Sequence, residues 1–399
     1  MRRHIIILGS NGIGGAERRA LKIAHFLCES SIDVTLVLNQ DLLQWLHRDS
    51  ELSFVLSIER LTIEVFEERK RPILPLSLRY ALIKKFDELR LYRLPTFVGK
   101  IILGGLSFQS QLRRLVLHDS VIHCLGTDAA RLGVLLESER LSKNGNKVVV
   151  EIVGHKMIDR LSRQAVYFHE YSRYFQFGAV SESVFIQLNS AFNRTGYGPF
   201  QLFDWEGAFV TTPNNSFDVS KRNHIVFASR FNPPKNPILF SRAITKVLMM
   251  PRFSHWTVSI RGRGSLEGEI KSIVAPLQDR CSVGFTSMLS QELAESKVFV
   301  SLIETGDFPS QGLFESLFYG CYPVLSDSGN TRHYFDKYVK RYTKLDEKDT
   351  VNFLVALLDS LNSDTTVMEE YYFLSPEEMF SDVQSSSGYV KKLFQFHGK

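Results

Sequence analysis

Short runs of apolar, mostly β-branched residues alternate along the chain with segments whose apolar positions recur every three or four residues. His4 to Leu8 is the first such run. A Gly9-Ser-Asn-Gly-Ile-Gly-Gly15 turn follows, then a stretch in which Ala20, Ile23, Ala24 and Leu27 repeat at helical spacing, then a second run from Asp33 to Leu38. Strand, helix and strand within so few residues predict a parallel pair joined by a right-handed crossover, and hence an α/β sheet. The alternation resumes at Val121 to Cys124, Lys147 to Val153 and Phe177 to Val180. Thr212-Pro-Asn-Asn-Ser216 is rich in turn formers and reads as a linker. Beyond it a second series predicts strands at Ile225–Ala228, Thr257–Arg261, Ser282–Phe285, Val298–Ile303 and Pro323–Ser326. Helices are expected between them at Pro237–Val247, Leu266–Ala275, Ser290–Ser296, Gln311–Tyr319 and Asp349–Leu361. The predicted fold class is α/β: two Rossmann-like doubly wound domains facing each other across a cleft, with ligands at the carboxyl ends of the strands. The expected boundaries are 1–212, 213–375 and a C-terminal helix and tail, 376–399, packing back on the first domain.

Composition fits this picture and removes others. The chain has 399 residues, 44% hydrophobic and 23% charged, enough for two cores and unlike a fibrous or disordered chain. Its four cysteines, Cys28, Cys124, Cys281 and Cys321, lie far apart with no CxxC pair, so neither a disulfide framework nor a zinc site is readable, and a reducing cytoplasm is the expected setting. No run of 18 apolar residues appears, and the N-terminal apolar run is too short for a signal peptide. The net charge of +5 is unevenly placed. From Arg69 to Arg114 eleven basic residues face only Asp87 and Glu88, which leaves the remainder of the chain net acidic. The basic residues alternate there with Leu76, Tyr80, Ile83, Phe86, Tyr92 and Phe97. Such composition suits basic amphipathic helices on an anionic bilayer surface, and equally a solvated basic face over an ordinary core. No nucleic-acid-binding motif accompanies it, and no nucleic-acid partner is expected.

Three elements carry candidate chemistry. Gly12, Gly14 and Gly15 sit in a strand-to-helix turn of the kind that lets backbone amides approach an anion at a helix N-terminus. They match neither the dinucleotide fingerprint, because Glu17 stands where a third Gly is needed, nor the mononucleotide loop, because Gly15-Ala16 replaces Lys-Ser/Thr. A tight structural turn is the competing reading. Ser229-Arg230-Phe-Asn-Pro-Pro-Lys235 follows a predicted strand, and Arg230 and Lys235 are close enough in the chain to converge on one anion or to be two surface cations. Finally, Glu304-Thr-Gly-Asp307-Phe-Pro-Ser310-Gln311-Gly312-Leu313-Phe-Glu315 joins a strand to a helix, and Gly320-Cys-Tyr-Pro323-Val leads into the next strand.

The last element resembles the signature of retaining, nucleotide-sugar-dependent glycosyltransferases with two Rossmann domains (the GT-B fold), specifically family 4: an acid, seven residues, a Glu, then small-Gly-x-Pro-Val. Asp307 and Glu315 have that spacing. Gly14-Gly15-Ala16-Glu17-Arg18 resembles the family's first turn, Ser229-Arg230 through Lys235 its Gly-Arg-xxxx-Lys element, Gly262-Arg-Gly264 its Gly-x-Gly, and Pro213-Asn214-Asn-Ser-Phe-Asp218 its inter-domain segment. Asp307 stands where Glu is usual and Ser229 where Gly is usual, so Glu304 competes with Asp307 for the acidic position. His155, after the strand Val148 to Val153, resembles the histidine the family places beside the donor sugar. His123 matches a weaker pattern and is better read as a core histidine.

This resemblance implies transfer of a sugar from a nucleotide-diphosphate donor to a saccharide acceptor with retention of configuration, without a protein nucleophile. The chain has no Asp-x-Asp element, so the leaving diphosphate would be stabilised by fixed cations and amides, with no metal and no cofactor beyond the nucleotide sugar. The expected catalytic residues are His155, Arg230, Lys235 and Asp307. Gly14, Gly15, Arg230, Lys235, Ser310, Gln311, Gly312, Leu313 and Glu315 are expected to bind the donor, with Glu315 on the ribose. A lipid-linked acceptor at the cytoplasmic face of an anionic membrane, as in surface polysaccharide or O-antigen assembly, is the leading expectation. A nucleotide-sugar epimerase and a non-catalytic nucleotide-sugar-binding protein are the alternatives.

Overall fold

The computed structural model describes residues 3–9, 15–48, 53–66, 112–113, 118–125, 128–180, 182–197, 200–204, 220–304, 310–363, 370–386, 393–395 and 397. The expected linker at 212–216 and nearly all of the basic stretch 69–114 lie outside them. The chain divides into two units, Met1–Phe209 with Ser387–Lys399, and Val210–Ser386.

Unit 1 is built on seven parallel strands: β1 (His4–Ile7), β2 (Val34–Asn39), β3 (Leu61–Phe66), β4 (Val121–Cys124), β5 (Lys147–Ile152), β6 (Gln176–Ala179) and β7 (Leu202–Asp204), in the order β3-β2-β1-β4-β5-β6-β7. Its helices are α1 (Gly15–Glu29), α2 (Gln40–Arg48), α3 (Asp128–Lys143), α4 (His155–Phe168) and α5 (Glu182–Thr195). β1, β2 and β4 are buried at every position, which is why they read as continuous apolar runs. The chain runs from β1 to one side through β2 and β3, then to the other through β4, so the order reverses between β1 and β4. β1 ends and α1 begins at that reversal.

The face of this sheet covered by α1 is not wholly apolar. His4, His123 and Glu151 project there from β1, β4 and β5 and form one chain with Arg19 of α1 and His397 of the tail. Arg19 pairs with Glu151 at 3.0 Å, both side chains being almost fully buried. Glu151 meets His123 Nε2 at 3.1 Å, His123 Nδ1 meets His4 Nε2 at 3.4 Å, and His4 Nδ1 meets His397 Nε2 at 3.0 Å. Burial first, and the neighbouring imidazoles second, hold the His4 pKa well below its ordinary value, so His4 stays neutral. The tail packs beside this chain: Leu393 is fully buried in the α1 cluster, and Phe394 lies 5.7 Å from Phe26, ring centre to ring centre.

Unit 2 repeats the plan with five parallel strands, β8 (Arg222–Ala228), β9 (Thr257–Arg261), β10 (Cys281–Gly284), β11 (Ser296–Ser301) and β12 (Tyr322–Leu325), in the order β10-β9-β8-β11-β12. Its helices are α6 (Pro237–Leu248), α7 (Glu267–Val274), α8 (Leu289–Glu295), α9 (Gln311–Phe318), α10 (Gly329–Phe335), α11 (Glu347–Asn362) and α12 (Pro376–Ser386). Pro237 opens α6 where its missing N–H costs nothing. Trp256 is fully buried, and Phe227 stacks on Phe240 at 5.0 Å across the sheet and α6. The terminal helix α12 belongs to this unit, because Phe380 packs on Phe318 of α9 and Met379 and Val383 are buried, so only the residues after 386 join unit 1. The expected boundary at 376 thus moves to the end of that helix.

Candidate functional site

In unit 2 the strand order reverses between β8 and β11, the place where doubly wound sheets open a crevice at their carboxyl ends. Both chemically marked loops of this half emerge there. After β8, Ser229 N–H donates to Arg261 O and Phe231 N–H to Arg263 O, so this segment runs beside Gly262-Arg-Gly264 as a continuation of the sheet. The two backbones lie so close that a Cβ on Gly262 would sit 1.9 Å from the Ser229 carbonyl oxygen, and one on Gly264 2.3 Å from that of Phe231. Only glycine fits either position, which explains the Gly-x-Gly spacing physically. Arg230 ends this stretch exposed at the carboxyl end of the sheet.

Lys235 closes a short 3-10 turn, Pro233–Lys235, and Asn236 follows in the left-handed conformation before α6 begins. The turn is tied to the β11 loop by two bonds: Glu304 N–H donates to Pro234 O at 3.0 Å, and Asn236 Nδ2 donates to Leu302 O at 3.1 Å. Lys235 is half-buried. The chain re-emerges at Ser310, the N-cap of α9, whose hydroxyl accepts from Leu313 N–H at 3.3 Å. First-turn amides of a helix have no intrahelical acceptor, so those of Gln311 and Gly312 form the positive end of α9. A Cβ on Gly312 would lie 4.0 Å from Ala228 O and 3.5 Å from the Phe299 ring, which sets the start of α9 against the ends of β8 and β11. Glu315, one turn on, is 4% exposed, with Gln311 Nε2 at 3.5 Å from its carboxylate.

The structure therefore brings Arg230, Lys235, Ser310, Gln311, Gly312, Leu313 and Glu315 to one end of one sheet. Asp307 lies outside the described residues, while its competitor Glu304 is exposed immediately after β11. Two further residues at the same sheet end escaped the sequence reading. Arg263, the residue between the two required glycines, lies 4.1 Å over the ring of Phe285, and Phe285 is 38% exposed. An exposed aromatic directly after β10 was the available signal.

In unit 1, Gly15 opens α1, and among the described residues no atom lies within 4 Å of where its Cβ would stand. Gly14 lies outside the described residues. His155 is the first residue of α4, directly after β5, with extended Gly154 as N-cap. His123 is the buried core histidine described above. Among the described residues no group of three His, Cys, Asp or Glu side chains has metal-binding geometry, and no helix is long and apolar enough to cross a membrane.

Two sheets with reversal points between β1 and β4 and between β8 and β11 are the architecture of the GT-B glycosyltransferases, with two Rossmann-like domains, and that is the fold of this chain. Its structural neighbours bear this out. HepE from Anabaena, crystallised with UDP and glucose, aligns with a TM-score of 0.64 at 14% identity over 99% of this chain and 100% of its own. TarM from S. aureus, crystallised with fondaparinux, α-GlcNAc-glycerol and UDP, gives 0.63 at 10% identity over 97% and 99%. A glycosyltransferase from Rickettsia africae gives 0.59 at 12% identity over 99% and 98%. By sequence, no family model and no curated protein matches the chain.

Proposed function

We propose that the chain is a retaining glycosyltransferase, similar to family 4, that moves a sugar from a nucleotide-diphosphate donor to a saccharide acceptor. The observation that carries the reading is the convergence of the Arg230–Lys235 loop, the Gly262–Gly264 backbone and the N-terminus of α9 at the reversal point of unit 2. Breaking the anomeric bond puts negative charge on the departing diphosphate. Arg230 and Lys235 supply fixed positive charge, and the Gln311 and Gly312 amides add the dipole of α9. These donors are in place before reaction, which is what makes such groups effective. The buried Glu315 carboxylate suits the two hydroxyls of a ribose, and the Arg263–Phe285 platform suits the flat face of a base.

HepE and TarM were crystallised with UDP, which supports a nucleotide diphosphate as the ligand class. Asp307, His155 and the Gly14–Gly15 turn keep the roles that the sequence resemblance gives them: the first two at the sugar, the last at the diphosphate. No metal is required in this reading. The acceptor is proposed to be lipid-linked and the protein peripheral on the cytoplasmic face of an anionic membrane, a part that rests on the composition of residues 69–114.

Turnover of UDP-glucose and other nucleotide sugars with and without acceptor tests the activity. Transfer to an acceptor supports the reading, an altered donor sugar without acceptor identifies an epimerase, and tight binding with no turnover identifies a binding protein. Flotation with anionic and neutral liposomes tests the location, and equal failure to bind both contradicts it.

A further inference from the structure

Two serines that the donor reading does not use stand between β12 and α10. Ser326 directly follows β12, and Ser328 is the N-cap residue of α10. An N-cap serine ordinarily accepts a hydrogen bond from a first-turn amide of its own helix, but the Ser328 side chain makes no such bond. Its hydroxyl donates instead to Ile303 O, just beyond β11. Ser326, fully buried, donates to the same carbonyl oxygen at 2.9 Å, and the two hydroxyl oxygens lie 3.0 Å apart. A carbonyl oxygen has two lone pairs, so it can take up both donors at once. The hydroxyl that would cap α10 is thus spent on the neighbouring loop.

Ile303 is the last residue before the segment that carries Glu304 and Asp307, and its peptide group passes the contact on. The same peptide holds Glu304 N–H, which donates to Pro234 O at 3.0 Å. The Pro234 peptide in turn holds Lys235 N–H, which donates to Asn232 O at 3.1 Å. One row of hydrogen bonds therefore runs from the two serine hydroxyls, through the 303–304 and 234–235 peptides, into the turn that Lys235 closes. In such a row each bond polarises the next, most where water is excluded, and Ser326 and Ile303 are both buried. The bond from Asn236 Nδ2 to Leu302 O ties the same two loops one residue away. Without the serine hydroxyls the Ile303 carbonyl is a buried acceptor without these donors, and a peptide that turns to find others carries Glu304 N–H away from Pro234.

We propose that Ser326 and Ser328 are positioning residues of the donor site: through this row they fix where the acidic segment leaves the sheet and hold the turn that presents Lys235. The purpose of the row rests on the donor reading, while its geometry stands without it. Holding such a turn matters because a misplacement of about 1 Å in a charge-stabilising group can cost on the order of 100-fold in rate.

The test joins two measurements on the full chain: hydrogen exchange of the unliganded protein over peptides spanning 232–236 and 302–306, and calorimetric titration with UDP. The variants are Ser328→Ala, Ser328→Thr, Ser326→Ala/Ser328→Ala, Lys235→Ala and Ser328→Ala/Lys235→Ala. In the double serine variant both peptides are expected to exchange at least about tenfold faster, with β9 unchanged. Ser328→Ala is expected to melt close to wild type, since no cap bond is lost, yet to bind UDP severalfold more weakly. It should cost nothing further in the Lys235→Ala background, because two residues acting through one another are not additive. Ser328→Thr keeps the hydroxyl and should bind as wild type. Unchanged exchange in the double serine variant, or in Ser328→Ala if the double variant does not fold, overturns the proposal whatever the site binds. So does UDP affinity unaltered by Ser328→Ala, an equal loss from Ser328→Ala with and without Lys235, or a Ser328→Thr variant as weak as Ser328→Ala. Faster exchange together with wild-type UDP binding by Lys235→Ala supports the row and counts against the donor reading alone.

Discussion

The two units share a plan and differ in where they keep their charge. Each is a parallel sheet with one reversal point, between β1 and β4 in unit 1 and between β8 and β11 in unit 2. In unit 2 the cations Arg230 and Lys235 stand on loops at the reversal point, and the strands beneath them are apolar at their centres. In unit 1 an acid, an arginine and two histidines lie buried against the face of the sheet. A charge on a loop at a strand end keeps contact with solvent and can meet a ligand. A charge under a sheet must satisfy itself, and so it becomes part of the core. The same topology thus hosts an electrostatic site in one half and an electrostatic fastening in the other.

The largest effect is expected from breaking the fastening. Glu151→Ala leaves Arg19 buried opposite an apolar hole and is predicted to destabilise unit 1 by about 3–5 kcal/mol, as loss of one member of a buried pair does. Denaturant unfolding followed separately in the two units checks it, and a loss below about 1 kcal/mol would show the pair to be solvated. Next is Lys235→Ala, expected to lower turnover at least about 100-fold with little change in melting temperature, since in the proposed function the residue acts on developing charge and not on the core. Near-wild-type turnover removes Lys235 from the site.

Acid sharpens the comparison further. In unit 2, burial above all, then Arg222 and Arg261, depresses the His224 pKa to about 4. Between pH 6.5 and 4 the unfolded chain takes up a proton that the folded chain refuses, so the stability from this residue is full above about 6.5 and lost as the pH falls toward 4. The loss is on the order of 2–3 kcal/mol. His4 in unit 1 is shifted in the same direction, so both halves are expected to weaken in acid. The measurement is unfolding free energy against pH, in which His224→Gln should flatten the slope of unit 2 only. The smallest effect is that of Ser310→Ala, which removes the α9 cap at a cost of about 1 kcal/mol and loosens the amides at the site; donor affinity read by calorimetry should fall severalfold.

What could be read before the structure follows the same division. The strands of unit 2 were legible as short β-rich segments set between turn formers and helical repeats, and Thr257–Arg261 was read to the residue. The loops of this unit were legible because each marked motif is a short run of neighbouring residues, and the Gly262 and Gly264 spacing is fixed by a backbone contact. The buried chain of unit 1 was not. Arg19, His123, Glu151, His4 and His397 are joined by pairing across β1, β4 and β5 and by the return of the tail, and nothing local signals that a histidine in an apolar run has a carboxylate beneath it. β3 and β7 were missed for a related reason: β3 is an edge strand with Thr62 and Glu64 in its run, and β7 has only three residues.

The central claim is that the reversal point of unit 2 grips a nucleotide diphosphate through Arg230, Lys235 and the start of α9. Calorimetric titration of UDP into the full chain tests it most directly, on the wild type and on the Arg230→Ala/Lys235→Ala double variant, each with and without a chelator. The account predicts binding by the wild type that a chelator leaves unchanged, and at least about 100-fold weaker binding by the variant. Equal affinity in the two proteins, or binding abolished by the chelator, would contradict it.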